Sequence, residues 1–233
     1  MTSVLAGGAF VLLTGLWFLV IWRSSQIEGR LRGQAESARS IEMARRLATA
    51  QIEPHFLFST WASAQHWVQT GHARAAPLLA ALTGYLRATL PLFQHAELPA
   101  ADELLAVQRY LEVMQARMGE RLRWQIDVSD DARRARLPPG LLLTLVENAV
   151  VHGVEPKLVG GHVALRGRVE GSRVTFRVDD DGARLPAELK DGIGLANIRE
   201  RLALAHGGNA GLTLQARADG GCRPQLQLPW TTT

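Results

Sequence analysis

The chain has 233 residues, 47% of them apolar, with a formal charge of +4 and a pI near 10.0. That is enough apolar material for one large or two small cores, and too much for a disordered chain. The single cysteine, Cys222, excludes an internal disulfide framework. A basic pI raises the question of nucleic acid, but the charge is concentrated: Arg23 to Arg46 holds six arginines against three glutamates, a net +3 of the +4.

Ser3 to Trp22 contains twenty residues without a charge, about 30 Å as a helix, and predicts a transmembrane span. A cleaved signal peptide is the competing reading, but no basic residue precedes the apolar run and no convincing small-residue cleavage site follows it. Arg23, Arg30 and Arg32 follow directly, which predicts a cytoplasmic C-terminal side and an inner-membrane location, with Trp17 and Trp22 at the interface. Membrane topology and anionic lipid thus account for the basic cluster without a direct nucleic-acid partner.

From Ile27 to Ile52, positions 27, 31, 34, 38, 41, 45, 48 and 52 alternate in steps of four and three, and all but Gln34 and Arg45 are apolar. This heptad pattern predicts a parallel coiled-coil linker, with a solvated single helix as the alternative. Pro54 then removes a helical hydrogen bond and predicts a kink beside His55. An apolar stripe of Trp61, Ala64 and Val68 should continue the helix to Gly71. His55 is either a core histidine with a satisfied ring or a nucleophile and proton carrier.

Helices are expected from Ala76 to about Leu92 and from Ala101 to Leu122, the latter with Leu104, Val107, Leu111, Met114 and Met118 spaced by three and four. They predict a small antiparallel bundle that pairs with a second copy. At Arg123 the period changes to two, with Trp124, Ile126 and Val128 alternating against polar residues, and a new domain begins.

Gly140 to Gly153, GLLLTLVENAVVHG, reads as a helix with a core stripe of Leu142, Leu145, Val146, Ala149 and Val150. Thr144, Glu147, Asn148 and His152 fall within an arc of about 140° on the opposite side. Such a face either meets bulk water or lines a site for a cation or polar ligand. His162–Val169 and Arg173–Asp179 predict a hairpin around Glu170-Gly171-Ser172. Asp180, Gly182, Gly192 and Gly194 bracket a glycine-flanked loop before a helix that ends near His206, a setting in which backbone N–H groups can approach a phosphate. Leu212–Ala216 and Gln225–Leu228 close the chain as a second hairpin.

The ordered blocks PHFLF, LVENAVVHG, DDDG and DGIGLANIRERL resemble the LytS-like sensor histidine kinases, with an ATP-binding domain of the GHKL class, from about Ala48 to the C-terminus. The resemblance implies an α+β chain: anchor 1–22, coiled-coil linker 23–50, helical dimerisation and phosphoacceptor region 51–122, and an ATP-binding α/β sandwich with a mixed sheet over 123–233. It implies that His55 accepts phosphate, that Asn148 holds Mg²⁺ with Glu147 in support, and that Asp180 meets the adenine amino group. Gly182, Gly192 and Gly194 would shape the nucleotide lid, and His152 would face the nucleotide. The implied reaction moves the γ-phosphoryl group of ATP to His55 and on to a response-regulator aspartate within a homodimeric kinase. The alternatives are a nucleotide-binding regulator without phosphotransfer and a membrane scaffold. The chain departs from the family pattern at Glu53, Ser59 and Arg184. Phe56 stands where many histidine kinases carry an acid, which leaves Glu53 and Glu147 as proton acceptors.

Overall fold

A computed structural model describes residues 54–182, 193–217 and 220–230, all within one compact unit, Ala50–Thr233. The expected membrane span and coiled-coil linker, together with Glu53, Arg184 and Gly192, lie outside the described residues.

Three helices come first: α1 (Pro54–Gln69), α2 (Ala75–Thr89) and α3 (Ala100–Met118). Phe56, Thr60 and Ala64, four residues apart, form the buried side of α1. Phe56 reaches across to both neighbours, its ring centroid 5.4 Å from Tyr85 and 5.1 Å from Tyr110, nearly edge-on to the first. This aromatic trio knits the three helices together, with side chains that bury more apolar area than any aliphatic residue. The expected stripe is corrected here: Ala64 is buried, but Trp61 and Val68 are 60% and 57% exposed. They lie on a second apolar face with Phe58, because the bundle within one chain takes up only one side of α1. Gly71, at φ 65°, turns the chain out of α1 in a conformation that costs a residue with a Cβ.

α2 buries Leu78, Leu82, Tyr85 and Thr89 against α3, whose buried face includes Leu104, Val107, Tyr110, Leu111 and Met114. Gly119, at φ 63°, terminates α3, and its N–H reaches back to the Gln115 carbonyl. The chain then enters β2 (Leu122–Val128). Ser129 accepts the Ala132 N–H to cap the short α4 (Asp130–Arg133). A two-stranded ribbon, β1 (Leu98–Pro99) with β3 (Arg136–Leu137), ties the start of α3 to the segment before the next helix.

That helix is α5 (Leu141–Asn148), continued by a π-turn over Ala149–Val154. The expected regular helix to Gly153 therefore widens by one residue per turn at its end, moving His152 off the straight helical arc. Next come β4 (Gly161–Glu170), β5 (Arg173–Asp180), α6 (Ile193–His206), β6 (Gly211–Ala216) and β7 (Cys222–Pro229). The sheet order is β2-β4-β5-β7-β6, with β2 parallel to β4 and the remaining pairs antiparallel. The sheet is mixed, as expected. Val163, Leu165, Val174, Phe176, Val178, Leu226 and Leu228 are buried, and α5 contributes Leu141, Leu142, Leu145, Val146 and Val150 to the core. Two-residue alternation leaves Arg166, Arg177, Asp179 and Arg223 on the other sheet face.

Candidate functional site

α5 sets the site because its outward residues cannot be buried without partners. Thr144, Glu147 and Asn148 are half-buried on one side, while Leu141, Leu142, Leu145 and Val146 are fully buried on the other. The helix starts at Gly140, which sits at φ 85° and has no side chain to cap the first turn. Glu103, reaching in from α3, supplies the cap: its Oε1 accepts the Leu143 N–H at 3.0 Å. Burial pushes the Glu103 carboxyl up to about 8, outweighing the backbone N–H groups and the Arg201 charge that favour the anion. Burial in turn lowers the Arg201 guanidinium, which also bonds the Pro139 carbonyl at the same helix start.

Glu147 accepts a hydrogen bond from the Tyr85 hydroxyl at 3.4 Å. Tyr85 is the residue against which Phe56 packs, so the helix carrying His55 and the helix carrying Asn148 share one chain of contacts. His55 itself is exposed. The exposed imidazole is the immediate neighbour of a buried aromatic anchor, Phe56, which fixes the helix while leaving the ring accessible. Ser59, the departure from the family pattern, bonds the Phe56 carbonyl within its own helix.

The Asn148 side-chain nitrogen is buried without a hydrogen-bond partner. A Cβ placed on Gly194 would lie 3.5 Å from that nitrogen and 3.1 Å from Thr144 Cγ2. The start of α6 thus passes close over the polar face of α5, near enough that a Cβ there would touch the amide and crowd Thr144. A buried N–H donor without a partner is costly, so this arrangement suits a ligand whose oxygen accepts from it.

Asp180 ends β5 on the same side of the sheet and is 2% exposed. Its Oδ1 accepts the Gly182 N–H at 2.9 Å and its Oδ2 the Cys222 N–H at 3.1 Å. Burial raises its pKa, and those two N–H groups oppose the rise. Three glycines make the space around it. A Cβ on Gly153 would stand 2.6 Å from Asp180 Oδ1, one on Gly182 would overlap the Gly153 backbone, and one on Gly221 would overlap the Asp180 carbonyl. The Cys222 thiol is pushed up to about 11 by burial and by Asp180. Asp181 accepts the His162 N–H at 2.6 Å, and its carbonyl accepts from Lys157 Nζ at 2.6 Å, which pins the end of β5 to the start of β4.

The site residues expected from sequence therefore fall into two groups. Glu147, Asn148 and Gly194 meet on one side, and Asp180 and Gly182 meet Gly153, one turn beyond Asn148. His152 is exposed in the π-turn, and His55 lies on α1. Glu103, Tyr85, Gly153 and Gly221 support the site but were not singled out from sequence. Glu103 had a signal: positions 103, 107, 110 and 114 step by four, three and four, placing an acid in the core register of α3.

Residues 43–122 match the histidine kinase family model. The chain is 30% identical over 186 residues to the sensor histidine kinase BtsS of Escherichia coli, covering 79% of this chain and 33% of that protein. It is 29% identical over 224 residues to the sensor protein LytS of Oceanobacillus iheyensis, covering 89% and 38%. It thus spans about a third of the length of these curated relatives. The fold is similar to that of the histidine kinase domain of a blue-light activated histidine kinase from Erythrobacter litoralis. The TM-score is 0.50 at 18% identity, covering 83% of this chain and 94% of that one.

Proposed function

We propose, from the premise that this chain is a homologue of the LytS-like sensor histidine kinases, that it is a membrane-tethered protein-histidine kinase of a two-component system. It transfers the γ-phosphoryl group of ATP to His55 and then to an aspartate of a separate response regulator. The observation that carries this reading is the buried, unpartnered N–H donor of Asn148 beneath Gly194, with the glycine-lined Asp180 against Gly153, one turn further along the same helix.

In this reading the Asn148 amide oxygen would hold Mg²⁺, a hard cation that takes oxygen ligands and supplies charge to the phosphates when bound, and the amide N–H would donate to an oxygen of the nucleotide. Asp180 accepts the adenine amino group, and its fixed hydrogen bonds to Gly182 and Cys222 hold the carboxylate in one orientation. Gly182, Gly192 and Gly194 keep the lid backbone close to the nucleotide, and His152 faces it. A nitrogen lone pair of His55 attacks the γ-phosphorus, the bond from that phosphorus to the β–γ bridging oxygen breaks, and ADP leaves with the electron pair. The ring proton passes to a carboxylate, Glu147 or Glu53. Glu147 already accepts from Tyr85, so its orientation depends on the helical bundle. Positioning and electrostatics supply most of the catalysis in such a transfer.

The exposed stripe of Phe58, Trp61 and Val68 on α1 supports homodimerisation, since apolar residues at helical spacing call for a second copy. The apolar run Ser3–Trp22 and its flanking arginines support a single span with the catalytic part in the cytoplasm. The test is full-length protein in membranes with Mg²⁺ and ATP labelled on the γ-phosphate. The reading expects label on the chain and its passage to a response regulator. Nucleotide binding without label would instead identify a regulator without phosphotransfer, and neither would leave only a scaffold.

A further inference from the structure

Asp179 and Asp180 are neighbours on β5 and point to opposite faces of the sheet. Asp180 serves the nucleotide side. The Asp179 side chain, 3% exposed, lies on the far face among four arginines. Arg166 NH1 is 2.6 Å and Arg177 Nε 3.1 Å from Oδ2; Arg217 NH1 is 3.7 Å from Oδ1, and Arg223 Nε bonds the same oxygen. Arg166 and Arg177 are register partners on adjacent strands, a position where like charges repel.

One carboxylate needs one guanidinium for neutrality, and Arg166, Arg177 and Arg223 alone exceed it by two. Two carboxylate oxygens offer about four acceptor positions, against about fifteen N–H groups on those three guanidiniums. Arg177 Nε shows the shortfall: it is buried, and its contact with Asp179 lacks the direction of a hydrogen bond, so it has no hydrogen-bond partner. The side chains of Arg166, Arg177 and Arg223 are 40%, 35% and 35% exposed. Planar forks held around a buried floor match a tetrahedral oxyanion with several oxygens better than they match a single carboxylate.

We propose that Arg166, Arg177, Arg217 and Arg223 form a binding site for a multiply charged phosphate group on the sheet face opposite the nucleotide site, with Asp179 splaying the four guanidiniums. The phosphate belongs to a soluble anion or to an anionic lipid headgroup. This inference does not depend on phosphotransfer at His55.

The test uses the full chain in phosphatidylcholine nanodiscs, with ADP saturating, and titrates inorganic pyrophosphate by calorimetry. One saturable site per chain is expected. The double variant Arg177→Gln/Arg223→Gln should lose about tenfold or more in affinity, since each arginine–phosphate contact is worth roughly that factor. It leaves Arg166 and Arg217 on Asp179, so the buried carboxylate stays paired; thermal melting checks the fold. Arg134→Gln removes the same kind of charge from an exposed position elsewhere and should change nothing. If the double variant does not melt cooperatively, Arg177→Lys, which keeps the charge but not the fork, should still weaken binding. Repeating the titration in discs that carry phosphatidylglycerol separates the sources. Weaker pyrophosphate binding there by the wild type assigns the site to lipid headgroups, and unchanged binding assigns it to a soluble phosphate. No saturable binding in phosphatidylcholine discs, or equal affinity in the wild type and double variant, overturns the proposal.

Discussion

Replacing Glu103 by glutamine tests how the site helix is held. The carboxylate caps the first turn of α5 through Leu143 from another helix, and its second oxygen is buried with no hydrogen-bond partner. Its pKa rises from 4.5 to about 8 because burial disfavours the anion. A folded pKa above the unfolded value means that the folded chain binds more protons between the two, so the stability from the neutral acid is present in full below about 4.5 and is lost as pH rises through 8. At about 1.36 kcal/mol per pH unit, the wild type gives up about 3 to 4 kcal/mol between pH 5 and 8 through this group alone. Glu103→Gln keeps an oxygen for the Leu143 N–H and has no proton to lose. Urea unfolding of both proteins across this range should give similar stabilities near pH 5 and curves that separate by about 3 to 4 kcal/mol toward pH 8, with glutamine the more stable. Parallel curves would refute the reasoning and show that Arg201 keeps Glu103 ionised in the fold.

Calorimetry should show a sharp loss of Mg²⁺-dependent ATP affinity in Asn148→Ala, and a loss of preference for adenine over guanine nucleotides in Asp180→Ala. Gly182→Ala drives a methyl group into the Gly153 backbone, and its unfolding midpoint should fall by the equivalent of about 2 to 4 kcal/mol. Inserting seven residues near Ser37 should preserve autophosphorylation in membranes, because one heptad, about two helical turns, restores the seam. Inserting two turns His55 by about 200° relative to the span and should shift activity strongly in either direction. Equal activity in both would make the linker a passive tether.

The strands and hairpins were legible because two-residue alternation is strong between glycine turns. Val174, Phe176 and Val178 went to the core, and Glu170-Gly171-Ser172 closed the hairpin where expected. Asn148 and Asp180 were singled out by the order of motif blocks, and the structure half-buries the first and buries the second. Other features depended on contacts between distant segments. Glu103 and Leu143 are forty residues apart, and Tyr85 and Glu147 sixty-two; no local pattern reports such a pair. The π-turn at Ala149–Val154 breaks a register that a constant 100° step assumes. Trp61 and Val68 were read as one apolar stripe with Ala64 by spacing alone, and spacing does not say which of two apolar faces the same chain covers. Asp179 read as one of three similar acids until the strand put it on the opposite face from Asp180.

The central claim is that the exposed imidazole beside the Phe56 anchor accepts phosphate from a nucleotide held at Asn148 and Asp180. Its most direct measurement is incorporation of γ-labelled phosphate from Mg·ATP by the full-length chain in membranes, wild type beside His55→Gln, with ATP affinity measured in the same preparations. Labelled wild type, unlabelled variant and nearly equal ATP affinities are the predicted result. Undiminished label in His55→Gln would contradict the account.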